Sequence, residues 1–291
     1  MTSPIAFPGL TSEQVRFFEV FGYLRLPGLF RNEVSAISRA FDEAMAAAVQ
    51  SHEAIIHIDK THYDAKRTIL PSIIEKHPYL LSLLTDYRIH NIANSLAGED
   101  FNYLSSDGNI FTGDTAWHRD IYGLVRQHRY VKISFYLEDI DGQSGALRVI
   151  PGSHHLGQVF SKMLLDSLPD PTLHFGLKPE EIPSQIINNE PGDVIVFDYN
   201  IQHATCHSHF PRRMFSMGTT AHFPDGKKQL AVNSIKELLG NKPSLYGPAI
   251  LNHPDPSVQQ HIAQMLKLEN IARQQAITQA GQDTPVPPKP Q

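Results

Sequence analysis

Two kinds of periodicity divide the chain. Up to about residue 97, apolar positions recur at helical spacing. Thr11-Ser12-Glu13-Gln14 offers a hydroxyl cap with acidic and amide residues in the first turn; Val15, Phe18 and Phe21 follow, and Gly22 suits a left-handed stop. Tyr23 to Leu26 alternates as a short strand, with a Pro27-Gly28 turn after it. Asn32 is placed to cap a second helix over roughly 33–50, with Val34, Ile37, Phe41 and Met45 on one face. Residues 51–78 are polar and irregular and read as a covering, lid-like segment with short helical pieces, and 79–97 reads as another helix ending before Gly98.

From about residue 101 the period shortens to two. Tyr130 to Leu137 alternates, and Ala146 to Ile150 is a further strand closed by Pro151-Gly152-Ser153-His154. Pro191-Gly192 fits a type II turn, Asp193 to Phe197 is a nearly all-apolar buried strand, and Arg213 to Phe223 is a long final one. Short strands at near-regular spacing indicate a sandwich or barrel. The pattern then returns to a helix over 257–280, with Val258, Ile262, Met265, Leu266 and Ile277 as its apolar positions, facing the core or a second copy. A proline-rich tail over 281–291 is expected to be disordered. The fold expected is mainly β with flanking helices: a β core at about 101–223 covered by 11–97 and 257–280, all one domain over 1–280.

Composition adds limits. With 291 residues the chain can bury a large core. Its net charge of −5, without a long basic run, disfavours nucleic acid and anionic membranes as partners. The single cysteine, Cys206, rules out an intrachain disulfide and reads as a small buried hydrophobe. No basic-then-apolar leader is present, and no apolar run approaches the ~18 residues that span a bilayer, so a cytoplasmic location is expected.

The chemistry lies in an ordered set: His118-Arg119-Asp120, then His203, then Arg212 or Arg213. Two histidines and a carboxylate can hold Fe(II) on one face and leave positions open for a co-substrate and O2. A guanidinium shortly after the second histidine can clamp a dicarboxylate bidentately. His-x-Asp alone is weak, since it occurs four times: His57/Asp59, His62/Asp64, His118/Asp120 and His253/Asp255. Only the third opens the strand run and has a second histidine downstream on a β segment. His57 and His62 lie in the polar segment and read as solvated, while His253-Pro254-Asp255 reads as a turn into the last helix. His207 and His209 compete with His203 but sit beside Phe210-Pro211 and read as loop residues.

The chain resembles the phytanoyl-CoA dioxygenase family from Phe17 to about Phe223. The likeness is carried by Trp117-His118-Arg119-Asp120, Leu137-Glu138-Asp139, Gly145-Ala146-Leu147, Pro151-Gly152-Ser153-His154, Pro191-Gly192-Asp193 and the stretch from His203 to Arg212. That resemblance implies a double-stranded β-helix of the jelly-roll or cupin-like kind. It implies an Fe(II)- and 2-oxoglutarate-dependent dioxygenase that hydroxylates a small molecule with release of succinate and CO2. His118, Asp120 and His203 would be the metal ligands. Phe210-Pro211-Arg212 matches the family arginine best, with Arg213 as the alternative on the opposite strand face. Thr205 would touch the same end of 2-oxoglutarate, and Asn109 is a candidate for the near end. Arg119 and Arg126, with His128 and Arg129, are candidates to meet an anionic substrate. His57, Tyr63, Lys66 and Arg67 would arm the lid, whose charge favours a small polar substrate. Two other readings compete: a cupin-type metalloenzyme without 2-oxoglutarate, and a non-catalytic binding module. A homodimer through the C-terminal helix is a further expectation.

Overall fold

A computed structural model describes residues 7–121, 123–125, 127–240 and 242–282. Thr11 caps α1 (Ser12–Phe21) through a reciprocal pair of bonds with Gln14, and Gly22 ends it at φ 82°. β1 (Tyr23–Leu26) leads to α2 (Val34–Gln50), which Asn32 does not cap: the chain enters through a 3-10 turn, Arg31–Glu33, without a side-chain cap. In its place the turn's own bond, Glu33 N–H to the Phe30 carbonyl at 3.0 Å, occupies a donor at the helix entrance.

The 51–78 segment is not the irregular lid expected. It is an antiparallel hairpin, β2 (Ile55–Asp59) and β3 (Ala65–Pro71), laid onto the main sheet. Isoleucines at positions 55, 56 and 58 favour a strand even beside histidine and lysine. The expected helix over 79–97 is two, α3 (Pro78–Leu81) and α4 (Tyr87–Ala97). A 3-10 turn separates them, and Asp86 stops continuation by accepting the Arg88 N–H as an N-cap.

The strand region follows as β4 (Asn102–Thr112), β5 (Thr115–His118), β6 (Tyr130–Tyr136) and β7 (Leu147–Val149). Two short helices absent from the sequence reading, α5 (Val159–Ser167) and α6 (Pro171–Phe175), precede β8 (Gln185–Ile187), β9 (Val194–Asp198), β10 (His203–Thr205) and β11 (Arg212–Thr220). Helices α7 (Lys228–Leu239), α8 (Pro248–Leu251) and α9 (Pro256–Gln282) close the described chain. The tail expected over 281–291 falls outside the described residues from 283 onward.

Two antiparallel sheets result: β1-β9-β6-β11-β4-β3-β2 and β5-β10-β7-β8. This is a double-stranded β-helix. Strand alternation gives each layer its role. On β6 and β11, Ile133, Phe135, Phe215 and Met217 face the helices and share a core with Phe30, Phe41 and Ile92. The Phe135 and Phe215 rings stack with centroids 4.5 Å apart. The opposite face of the large sheet packs on the small one through Ile195, Phe197, Leu147 and Val149 and carries the polar residues of the site. The apolar face of α9 (Val258, Ile262, Met265) is buried against its own chain, beside α7 and β4, whereas Ile277 is exposed. The surface invoked for a homodimer is therefore largely spent internally. No helix among the described residues is long and apolar enough to cross a membrane.

Candidate metal and co-substrate site

His118 ends β5 and His203 begins β10, and the two are directly paired across the small sheet. Each ring is anchored by its Nδ1, on the Ala116 carbonyl at 2.7 Å and the Ile201 carbonyl at 3.0 Å. A carbonyl only accepts, so each Nδ1 carries the proton and each Nε2 presents a lone pair. Asp120 is held by its N–H on the Tyr199 carbonyl at 3.0 Å. Its carboxylate lies 3.7 Å from His118 Nε2 and 3.6 Å from His203 Nε2. One ligand atom from each of the three residues lies within 4.8 Å of the others. Two neutral imidazoles and one carboxylate on one side of a cavity suit a divalent iron, and backbone-fixed tautomers are what such a site needs.

The electrostatics agree. Burial, reinforced by the neighbouring His203, pushes His118 down to about 3, and burial also lowers His203. Burial alone would raise Asp120, but the Lys132 ammonium, His203 and His118 outweigh it and hold the carboxyl well below its usual range. Lys132 Nζ donates to Asp120 Oδ2 at 2.9 Å. At neutral pH the triad is two neutral imidazoles and one carboxylate, with a cation already on one carboxylate oxygen.

The surrounding cavity, about 100 Å³, is walled by both sheets. Arg212 enters it from β11, almost fully buried. Its guanidinium donates to the Gly145 carbonyl, to the Gly113 carbonyl at 3.2 Å and to Thr205 Oγ1 at 3.4 Å, while its buried Nε has no partner. Arg213 points the other way: its N–H and Nε bind Glu138 and its Nη1 binds Asp42. Strand alternation thus separates the two arginines. Asn109 lines the cavity and accepts from Arg67 Nη2 at 3.1 Å. Phe111 lies under both guanidiniums, 5.0 Å from that of Arg67 and 5.4 Å from that of Arg212.

Several expected contacts are elsewhere. Arg119 follows His118 on the chain and turns to the opposite side, where its Nη2 donates to Ser161 Oγ at 2.9 Å and to the Ser153 and Ser161 carbonyls. It is a buried structural residue, outside the cavity. His128 bonds the Ala221 carbonyl and stacks on Phe223, and Arg129 pairs with Asp198 and Glu19. None of the three is free to meet a substrate. Arg126 lies outside the described residues. His207, on the loop between β10 and β11, and His209 do not line the cavity.

Polar lining residues that escaped the sequence reading of the site include His62, Lys132 and Tyr136, and Arg67, read there as a lid residue, lines the cavity too. Alternation in β6 could have found Lys132 and Tyr136, which share a face. His62 is buried, not solvated: Nδ1 accepts the Ala116 N–H at 3.1 Å and its ring lies 4.6 Å from that of His118. Only the hairpin brings it there.

No curated protein sequence matches the chain. Among solved structures, a non-heme alpha ketoglutarate dependent carbocyclase, SnoK from nogalamycin biosynthesis, is 22% identical with a TM-score of 0.59, covering 75% of this chain and 87% of that one. EctD from S. alaskensis with bound Fe is 22% identical with a TM-score of 0.57, covering 76% and 80%. HygX from Streptomyces hygroscopicus, with nickel and 2-oxoglutarate bound, is 17% identical with a TM-score of 0.55, covering 74% and 89%. These likenesses establish the fold. The sequence profile of phytanoyl-CoA dioxygenase matches residues 18–214, from α1 through the triad and Arg212. The chain belongs to the phytanoyl-CoA dioxygenase family of iron- and 2-oxoglutarate-dependent oxygenases.

Proposed function

We propose that the protein hydroxylates a small molecule, with His118, Asp120 and His203 holding Fe(II) and Arg212 anchoring 2-oxoglutarate. The observation that carries this reading is the opposition, in one cavity, of the His–Asp–His set and a buried arginine with an unpartnered Nε. When bound, the iron and 2-oxoglutarate supply the O2-dependent oxidation, with succinate and CO2 released.

The chain's own residues do the rest. The Ala116 and Ile201 carbonyls fix both imidazole tautomers before metal arrives. Lys132 occupies Asp120 Oδ2 and so favours binding of metal through the other oxygen. Arg212 and Thr205 offer a charged fork and a hydroxyl to the distal carboxylate, and Asn109 an amide toward the near end. Leu147, Phe197 and Met214 complete the wall and exclude water.

Anaerobic addition of Fe(II) and then 2-oxoglutarate to apo-protein tests this through the visible metal-to-ligand charge-transfer band. The band should require both additions and vanish in His118→Ala. A folded, iron-loaded protein without the band would leave a metalloenzyme that does not use 2-oxoglutarate. Product mass then separates hydroxylation, a gain of one oxygen, from ring closure or desaturation, a loss of two hydrogens.

A further inference from the structure

A second cavity, about 310 Å³, adjoins the first and shares Asp107, Asp120 and Lys132 with it. It exists because β3 leaves β4 early. Their ladder ends at Pro71 opposite Asp107, with a last bond from the Ser72 N–H to the Ser106 carbonyl, so residues 104 and 105 of β4 lose a neighbour and a notch opens beside the proposed metal ligands. The notch is roofed by Leu238 at the end of α7 and by Lys242 and Leu245 after it. These roof residues lie beyond the 18–214 region matched to the family.

The floor is built for close approach. Tyr199 reaches over Gly218 of β11, where an added Cβ would lie 2.2 Å from the phenol oxygen, and Gly218 faces Ser105 across the ladder. The smaller cavity is sized for the metal and co-substrate, and the larger one is left for the molecule to be oxidised. Charge narrows the choice. Both carboxylates that reach the second cavity are already hydrogen-bonded, Asp107 by the neutral donors of Ser216 and Asn109 and Asp120 by the Lys132 cation. Lys242 at the rim has no ion-pair partner among the described residues, while Arg273 pins its backbone by donating to the Lys242 and Pro243 carbonyls at 3.2 and 2.7 Å.

We infer that this notch is the substrate chamber, and that it takes an amphipathic anion with a single charged end. The carboxylate or phosphate would sit at Lys242 and the apolar body between Leu124, Leu238 and Leu245, with its inner end directed past Tyr199 toward Asp120. The inference rests on the proposed oxygenase reading for what happens at that inner end, and on the cavity alone for what binds.

Equilibrium dialysis under anaerobic conditions, with Fe(II) and 2-oxoglutarate present, tests it with octanoate, octyl phosphate and octan-1-ol. At least one anion should bind about tenfold tighter than the alcohol, as a charge-assisted contact predicts. Lys242→Glu should erase that margin and leave octan-1-ol unchanged. Leu245→Trp, which fills the notch, should exclude all three. The preferred anion separates a carboxylate from a phosphate ligand. Equal binding of alcohol and anions, no binding at all, or unchanged anion binding in either variant would overturn the assignment. The charge-transfer band, recorded on the same samples, reports separately on the oxygenase reading: its absence refutes that reading and leaves the dialysis result to judge the chamber.

Discussion

Replacing Lys132 by methionine, of similar length and uncharged, should unmask the cost of a buried carboxylate in the absence of metal. The Lys132–Asp120 pair is separated by 2.9 Å, with side chains only 14% and 15% exposed. At that distance and an effective dielectric of ~20, the attraction is about 6 kcal/mol. Part of it offsets desolvation, so removing one partner of such a pair costs ~3–5 kcal/mol. For a chain of this size the apo-protein should lose roughly 6–15 °C in Tm. Fe(II) replaces the missing cation, so the rise in Tm on adding Fe(II) should be larger in Lys132→Met than in the wild type. Differential scanning fluorimetry of both proteins, with and without Fe(II) under argon, reads both quantities. An apo Tm within about 2 °C of wild type, or an equal gain from iron, would refute the argument. A double-mutant cycle with Asp120→Asn isolates the pairwise part.

Four further outcomes follow from the same geometry. Arg212→Ala should weaken 2-oxoglutarate binding by about 10- to 150-fold, the worth of a lost charged hydrogen bond, measured by titration of the charge-transfer band. Arg213→Ala should leave that affinity unchanged, because its partners Glu138 and Asp42 lie outside the cavity; a comparable loss there would reverse the assignment of the two arginines. Acid should destabilise the apo-protein. His118 and His203 have depressed values in the fold, so the unfolded chain takes up their protons first, and stability falls as pH drops below about 6.5, toward about 3 for His118, by at most ~1.4 kcal/mol per pH unit for each group. Asp120 acts in the same direction but at lower pH: its contribution is complete above the unfolded value near 4 and is lost only as pH falls below it, so the histidines dominate above about pH 4. His118→Leu should flatten the slope of Tm against pH, and an unaltered slope would exclude His118 as its source.

The amino-acid order by itself decided the β core, the helical start and the candidate metal triad. Thr11, Gly22, Pro191 and Gly192 act through local backbone geometry, and a period of two fixes which side chains share a face. The spacing of His118, Asp120 and His203 was legible because chemistry restricts which residue types hold iron, although only the register of β5 against β10 sets their lone pairs on one point. The choice between Arg212 and Arg213 was only half legible. Alternation says they diverge, but which one faces the cavity depends on where β11 lies between β4 and β6. Residues 51–78 show where local reading fails. β2 is an edge strand with little burial, so its pattern carries scant hydrophobic contrast, and its partner was recognisable only in three dimensions. That pairing buries His62 and brings the half-buried Arg67 beside the triad and, by ending at Pro71, opens the notch beside Asp120. Arg119 is the converse case: adjacent to two candidate ligands in sequence, it turns away just past the end of β5 and is tied down by Ser153 and Ser161. Spacing along a chain constrains which residues can share a surface, but long-range pairing decides which surface encloses the site, because the hydrogen bonds and burial that settle it join residues far apart in sequence.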